Sequence, residues 1–402
     1  MTGPLDGIRV LELGNFIAAP FAGRIFADFG ADVIKVERPG QGDELRGWRL
    51  LAGTTSMLWR TIGRNKRSVT IDLHTDAGRM LALDLVRRSD VVLENFRPGT
   101  LERWGLGPAE LAAANPEMVL VRISGYGQTG PYAGRAGFFG GVAEAFGGLR
   151  YVTGDPASPP SRAATSIGDE VAGLYAVIGA LMSMLSRARG GPDAPVVDVA
   201  LYEAVFSLME SLVPDYDAYG VVRERTGGSL PGVAPSGVYP CRDGQWVVIG
   251  GNANAVFGRL MHAIDRPDLA ADPDLADGRG RGLRSDELNT AIVGWTAGRS
   301  VSEVLAVLEK AGVPAGPVHD ASAIADDPHY RARDMLVTRQ VEVDGSPQPV
   351  RFPGIVPKVP GAPGEVRWLG PELGEHTDEV LAGLLGVSAE RLASLRTEGV
   401  IS

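Results

Sequence analysis

The chain has a single cysteine, Cys241, among 402 residues. That excludes a disulfide framework and a thiolate metal cluster within one chain. A basic excess is missing too: 39 Lys and Arg stand against 49 Asp and Glu, a net charge of -10. A nucleic-acid binder needs a basic face, so the balance argues against one but leaves room for a local basic pocket. The N-terminal Met1–Asp6 lacks the basic-then-apolar order of a signal segment. No stretch of about 20 apolar residues is read, so no membrane-spanning helix and no membrane partner are expected. The five histidines show no metal-ligand spacing with one another or with Cys241, so no metal site is expected. A cytoplasmic enzyme fits these absences.

Glycine, by contrast, is abundant, with 54 residues. Several fall at strand-to-helix junctions, and they form no repeat. The length points to two domains. Ile8–Leu13 reads as a buried strand, Gly14–Pro20 as a loop, Phe21–Phe29 as a short helix and Ala31–Glu37 as a second strand. This is a βαβ unit, and it implies a parallel pair. Its first turn lacks G-x-G-x-x-G, so a dinucleotide is not supported. Strands follow at Ser68–Leu73, Asp90–Phe96, Met118–Ser124 and Val196–Ala200, with helices at Thr75–Ser89 and Pro108–Asn115. The pattern predicts an α/β fold: an open, mostly parallel, Rossmann-like sheet with helices on both faces. Sites in such sheets lie beyond the carboxyl ends of the strands, here in the loops starting at Gly14, Arg38, Asn95 and Gly125.

Asp169–Arg187 reads as a long apolar helix and Leu201–Val213 as another. Residues 1–213 are expected to form the large domain and polar, Gly/Pro-rich 214–235 a linker. A smaller α+β domain spans 236–320, with a hairpin joining Gly237–Cys241 to Gln245–Gly250. Residues 321–402 return to the large domain, with strands near 336–352 and a helix over Thr377–Leu385. The most informative segment is Thr165–Tyr175, where Asp169 stands at the start of the apolar helix. Unpaired amide donors and the helix dipole keep a carboxylate ionised there. It reads either as an ordinary cap, with Ser166 and Asp169 resembling a capping box, or as a nucleophile toward an activated acyl group.

Seven motifs stand in order along the chain: Pro4–Leu11, Gly30–Pro39, Asn65–Ser68, Glu94–Gly99, Gly125–Pro131, Gly168-Asp169 and Gly374–Asp378. Together they resemble the family III CoA-transferases, nearly end to end. The resemblance implies that Asp169 attacks the carbonyl of an acyl-CoA, giving an aspartyl anhydride and then an aspartyl-CoA thioester. It implies acyl-CoA and a small carboxylic acid as substrates, with no tightly bound cofactor. Coenzyme A is expected against Arg38 at the nucleotide end, Ile71, Asp72 and Leu73 beside the adenine, and Asn95, Phe96, Arg103 and Trp104 along the pantetheine. Asn15, Phe16 and Ala18 are expected at the thiol end, where main-chain N–H groups would hold an oxyanion. Trp48 and Phe139 are expected in the substrate pocket.

The departures bear on substrate. The related racemases carry a histidine where this chain reads Ala136-Gly137-Phe138-Phe139, and phenylalanine carries no proton. The glycine-rich gating loop of formyl-CoA transferases has no four-glycine counterpart in Gly227–Gly237, and Phe139 replaces a tyrosine of that branch. A C4–C6 dicarboxylate with succinyl-CoA as donor is expected; a 2-methylacyl-CoA racemase or isomerase, or an inactive acyl-CoA-binding protein, are the alternatives. The resemblance also implies an interlocked homodimer, threaded through the connections around 201–235 and 320–335.

Overall fold

The computed structural model describes residues 3–135, 139–192, 195–230 and 232–402. Its backbone groups into two compact units: residues 1–149, 163–210 and 328–402, and residues 150–162 and 211–327.

The first unit is built on a six-stranded parallel sheet. Its strands are β1 (Arg9–Glu12), β2 (Asp32–Glu37), β3 (Lys66–Thr70), β4 (Val91–Glu94), β5 (Val119–Ser124) and β6 (Val196–Ala200), in the order β3-β2-β1-β4-β5-β6. The middle strand β1 pairs with β2 through Val10↔Val33 and with β4 through Val10↔Val91. The chain therefore reverses its direction of travel across the sheet beside β1, and the crevice there is the usual ligand position of an open α/β sheet. Runs such as Val91-Val92-Leu93 are fully buried, as strands covered on both faces must be. The helices α1 (Ala18–Asp28) and α2 (Ile167–Ala188) cover one face around Phe26, Val33, Val121 and Ala176. The other face packs around Leu85, Leu111, Val380 and Leu395.

Several expectations change. Helix α1 starts at Ala18, so the loop after β1 is shorter than the sequence pattern suggests. The apolar run 201–213 is broken into Leu201–Phe206 and Leu212–Tyr219, and the second of these is helical well into the segment read as linker. Helix α2 has 22 residues and a mean hydropathy of 1.5, so by length and composition one segment is apolar enough to cross a membrane. The sequence reading placed this long apolar helix at Asp169–Arg187, and its apolar residues are interrupted by small and polar ones. Ser166 makes no side-chain cap bond at the start of α2, so the capping-box reading is also overturned.

The second unit holds an antiparallel sheet of Ser236–Pro240, Trp246–Gly250 and Ala315–Pro317. Helices bury Phe257, Leu260, Ile292 and Leu308 around it. Cys241 is buried there, and burial pushes its thiol up.

Candidate active site

The carboxyl ends of β1 to β4 open on one cavity. It is lined by Leu13 and Asn15 after β1, by Val36 and Glu37 at the end of β2 and Arg38, Gln41, Gly42 and Glu44 beyond it, by Ile71–His74 after β3, and by Phe96 and Trp104 after β4. Of the residues expected at a CoA site, Asn15, Arg38, Ile71, Asp72, Leu73, Phe96 and Trp104 therefore share one wall. Phe16, Ala18, Asn95 and Arg103 are not part of its lining. Ala18 is buried in the core under the sheet, and Arg103 is exposed and donates to Thr100 Oγ1 at 2.9 Å. Asn95 works from behind. Its Oδ1 accepts from Asn15 N–H at 2.8 Å and its Nδ2 donates to the Asn15 carbonyl at 2.7 Å. The cavity also includes His74, one of the five histidines and not among the residues expected at the site.

The wall is organised by charge and by rings. Glu37 is buried at its floor and gripped by Arg46, with both nitrogen–oxygen distances at 2.7 Å. Burial pushes Glu37 up, but the bonds and charge of Arg46, together with the Lys35 charge and the Ser68 bond, hold it below the ordinary carboxylate range. Asp72 is likewise held low: burial is outweighed by bonds from His74, whose N–H and Nδ1 lie 3.0 and 2.9 Å from its Oδ1. Trp104 takes His74 and Phe96 edge-on, at ring distances of 4.7 and 5.0 Å. The surface left for a ligand is apolar in the middle, with an exposed guanidinium, Arg38, at its rim.

Asp169 lies in the first turn of α2. Its Oδ2 accepts the Gly140 N–H at 3.0 Å, at the start of helix Phe139–Phe146. The approach is close enough that a Cβ on Gly140 would stand 2.3 Å from Asp169 Oδ2 and one on Gly168 would stand 2.8 Å from the Gly140 carbonyl. Glycine at 140 thus clears room for the carboxylate, and glycine at 168 lets the two helix starts approach closely. One turn along the same helix face, Gly173 rests on the Ala18 carbonyl and the Phe21 ring, so this face of α2 looks onto the start of α1. Glu170 points elsewhere. Burial pushes its carboxyl up against the opposing charges of Arg24 and Arg49. Trp48 packs on Phe16 with ring centroids 5.3 Å apart. Ala136, Gly137, Phe138 and the side chain of Phe139 lie outside the described residues.

Of the main-chain donors expected at the thiol end from Asn15, Phe16 and Ala18, those of Asn15 and Phe16 are engaged within the protein. Asn95 Oδ1 takes the Asn15 N–H, and Asp43 Oδ1 takes the Phe16 N–H at 3.1 Å.

Residues 5–377 match the model of CoA-transferase family III. The chain belongs to that family. It is 46% identical over 99% of its length, and 98% of the relative's, to the succinyl-CoA–D-citramalate CoA-transferase of Chloroflexus aurantiacus. It is 41% identical to the beta subunit of that organism's succinyl-CoA–L-malate CoA-transferase, over 100% of this chain and 98% of the relative. It superposes on a crystal structure of a CaiB/BaiF family protein from Brucella suis with a TM-score of 0.83 and 32% identity, covering 96% of this chain and 100% of that one. The chain is thus a CoA-transferase that takes an acyl-CoA as substrate.

Proposed function

We propose that this enzyme moves CoA from succinyl-CoA to a C4–C6 dicarboxylic acid, with Asp169 as the nucleophile. Asp169 Oδ attacks the thioester carbonyl and expels CoA as thiolate, leaving a mixed aspartyl–succinyl anhydride. The thiolate returns to the aspartyl carbonyl, releasing succinate and leaving an aspartyl-CoA thioester. The acceptor carboxylate reverses both steps. One thioester replaces another, so no ATP is consumed. The observation that carries the reading is the Asp169 carboxylate itself, set in the first turn of α2 against the amide of Gly140 in helix Phe139–Phe146. The names of the relatives support the donor and the acid class: D-citramalate, L-malate and, for a Haloarcula hispanica relative at 35% identity, mesaconate.

Arg38 would take CoA phosphates as a charged fork, Phe96 and Trp104 would wall the pantetheine, and Asp72 would accept from adenine or ribose donors. Trp48 and Phe16 would border the acyl group. A cytoplasmic homodimer completes the reading.

The test is to incubate enzyme with succinyl-CoA, quench in hydroxylamine and map peptides by mass spectrometry. Asp169 is expected to appear as its hydroxamate. Asp169→Asn is expected to lose transfer by ~10³-fold or more while still binding CoA. An unmodified Asp169 with several active donors would falsify the nucleophile assignment and direct attention to α-proton exchange. A panel of diacid acceptors then ranks the substrates.

A further inference from the structure

Beneath the loop after β1 lies a group of charges that solvent does not reach. Lys35, Lys66, Glu12 and Asp43 are all almost completely buried. Lys66 Nζ pairs with Glu12 Oε2 at 2.7 Å and donates to the Pro20 carbonyl at 2.7 Å, inside α1. Lys35 Nζ faces Asp43 Oδ2 at 2.9 Å and Glu12 Oε1 at 3.4 Å. It also donates to the Gly14 carbonyl and reaches Asn15 Oδ1 at 3.4 Å. Burial pushes the Lys35 ammonium down, but Asp43 and Glu12 outweigh it and keep it charged.

Asp43 divides its carboxylate. Oδ2 meets Lys35, while Oδ1 accepts the N–H of Phe16 at 3.1 Å and of Leu45 at 3.0 Å. The second bond caps the helical turn Glu44–Gly47, which delivers Trp48. The first holds Phe16 at φ 63, a left-handed conformation that a non-glycine residue keeps only when its surroundings impose it. One buried carboxylate thus sets the backbones that carry both rings of the Phe16–Trp48 pair.

We propose that Asp43, held by Lys35, is a positioning residue that fixes the Phe16–Trp48 pair and the Gly14–Phe16 loop, and so aligns the thioester end of acyl-CoA with Asp169. This rests on the reading of Asp169 as nucleophile. The loop precedes Ala18, whose carbonyl meets the Asp169 face of α2, so a shift in the loop is felt where the acyl group must sit. Misplacement by an ångström is enough to slow a reaction about 100-fold.

The experiment compares the wild-type enzyme with Asp43→Asn and with Asp43→Glu, which keeps the charge opposite Lys35 but moves the accepting oxygen. Three readouts are taken per folded active site: Kd for free CoA, kcat for transfer, and the ratio of acyl-CoA hydrolysis to transfer. The expected result is a CoA Kd within about twofold of wild type, since the nucleotide end is untouched. With it comes a kcat lower by roughly 10- to 100-fold and a raised hydrolysis-to-transfer ratio, as water reaches a misaligned intermediate. A merely structural Asp43 would lower Tm and the folded yield but leave kcat per folded site and the ratio unchanged. That outcome in either folded variant overturns the proposal. Should Asp43→Asn not accumulate folded, Asp43→Glu alone decides. Failure of the nucleophile reading shows separately, in a wild-type enzyme whose Asp169 is never trapped.

Discussion

Arg38 and Arg46 both follow β2, yet their circumstances differ. Arg46 is buried, bonded to Glu37 through two nitrogens and to the Pro371 carbonyl through a third, so its charge is spent on the fold. Arg38 is exposed at the cavity rim and makes no ion pair among the described residues, although its charge reaches Asp72. A charge-assisted bond to phosphate is worth about 1.5–3 kcal/mol. Arg38→Ala is therefore expected to raise KM for acyl-CoA roughly 10- to 100-fold with little change in kcat. A succinyl thioester truncated to its pantetheine arm should show no difference between the two enzymes. Equal KM values for full-length acyl-CoA would remove Arg38 from the site. Strand ends pointed to the loop that starts at Arg38, but Arg38, Asp72 and Trp104 could be singled out as CoA residues only through the resemblance to the family's motifs, Asp72 lying inside a run that reads as strand. Lys35 and Asp43 could not, because their partners Gly14, Asn15 and Phe16 lie 20 or more positions away and only the folded chain brings them together.

At the level of elements, the carboxyl ends of the strands carry charge that apolar patterning does not explain. Glu94 ends β4 fully buried, its Oε1 2.6 Å from Arg122 Nε on β5 and its Oε2 accepting the Phe96 N–H at 2.7 Å. Arg122 continues to Glu102 at 2.8 Å, in the helical turn that leads to Trp104. This chain of contacts fixes the Phe96–Trp104 wall. Burial pushes Glu94 up to about 7 in spite of Arg122, from an ordinary value of 4.5. A carboxyl with a raised folded-state value favours folding while protonated. That contribution is complete below about 4.5 and is lost as pH rises through about 7. Relative to Glu94→Gln, the wild-type protein should lose stability across that window, with a slope no steeper than ~1.4 kcal/mol per pH unit. Urea unfolding at several pH values measures it, and a difference that stays flat from acid to neutral pH would show that Glu94 remains ionised throughout. The strands themselves were legible because β-branched runs alternate with helical periods; β6 was read to the residue, at Val196–Ala200. Helix Phe139–Phe146 went unread in the sequence: it carries two glycines, and it packs against both α2 and the helix Leu201–Phe206.

On the scale of the whole molecule, α2 poses a question that its own unit leaves open. A helix apolar on every side is normally covered on every side. Here Ala172, Gly173, Ala176 and Ala180 are buried against α1 and the sheet, but Leu174, Ile178, Met182 and Leu185 are exposed, Met182 by 66%. Phe146, Phe206 and Leu208, in segments of the same unit, are exposed as well. Apolar patches of this extent on soluble proteins mark interfaces. A second copy of the chain is the cover that agrees with the homodimer implied by the family motifs. Sedimentation should then give a dimer that persists on dilution to nanomolar concentration. Met182→Glu combined with Leu185→Lys should yield monomer or insoluble chain rather than a looser dimer, because folding and association are linked when each covers the other's apolar face. The helix is also long enough to enter a bilayer, so the same preparation should be floated with lipid vesicles. Monomer that partitions onto vesicles would assign the face to lipid and refute the dimer, whereas dimer left in the aqueous fraction would assign it to the partner chain.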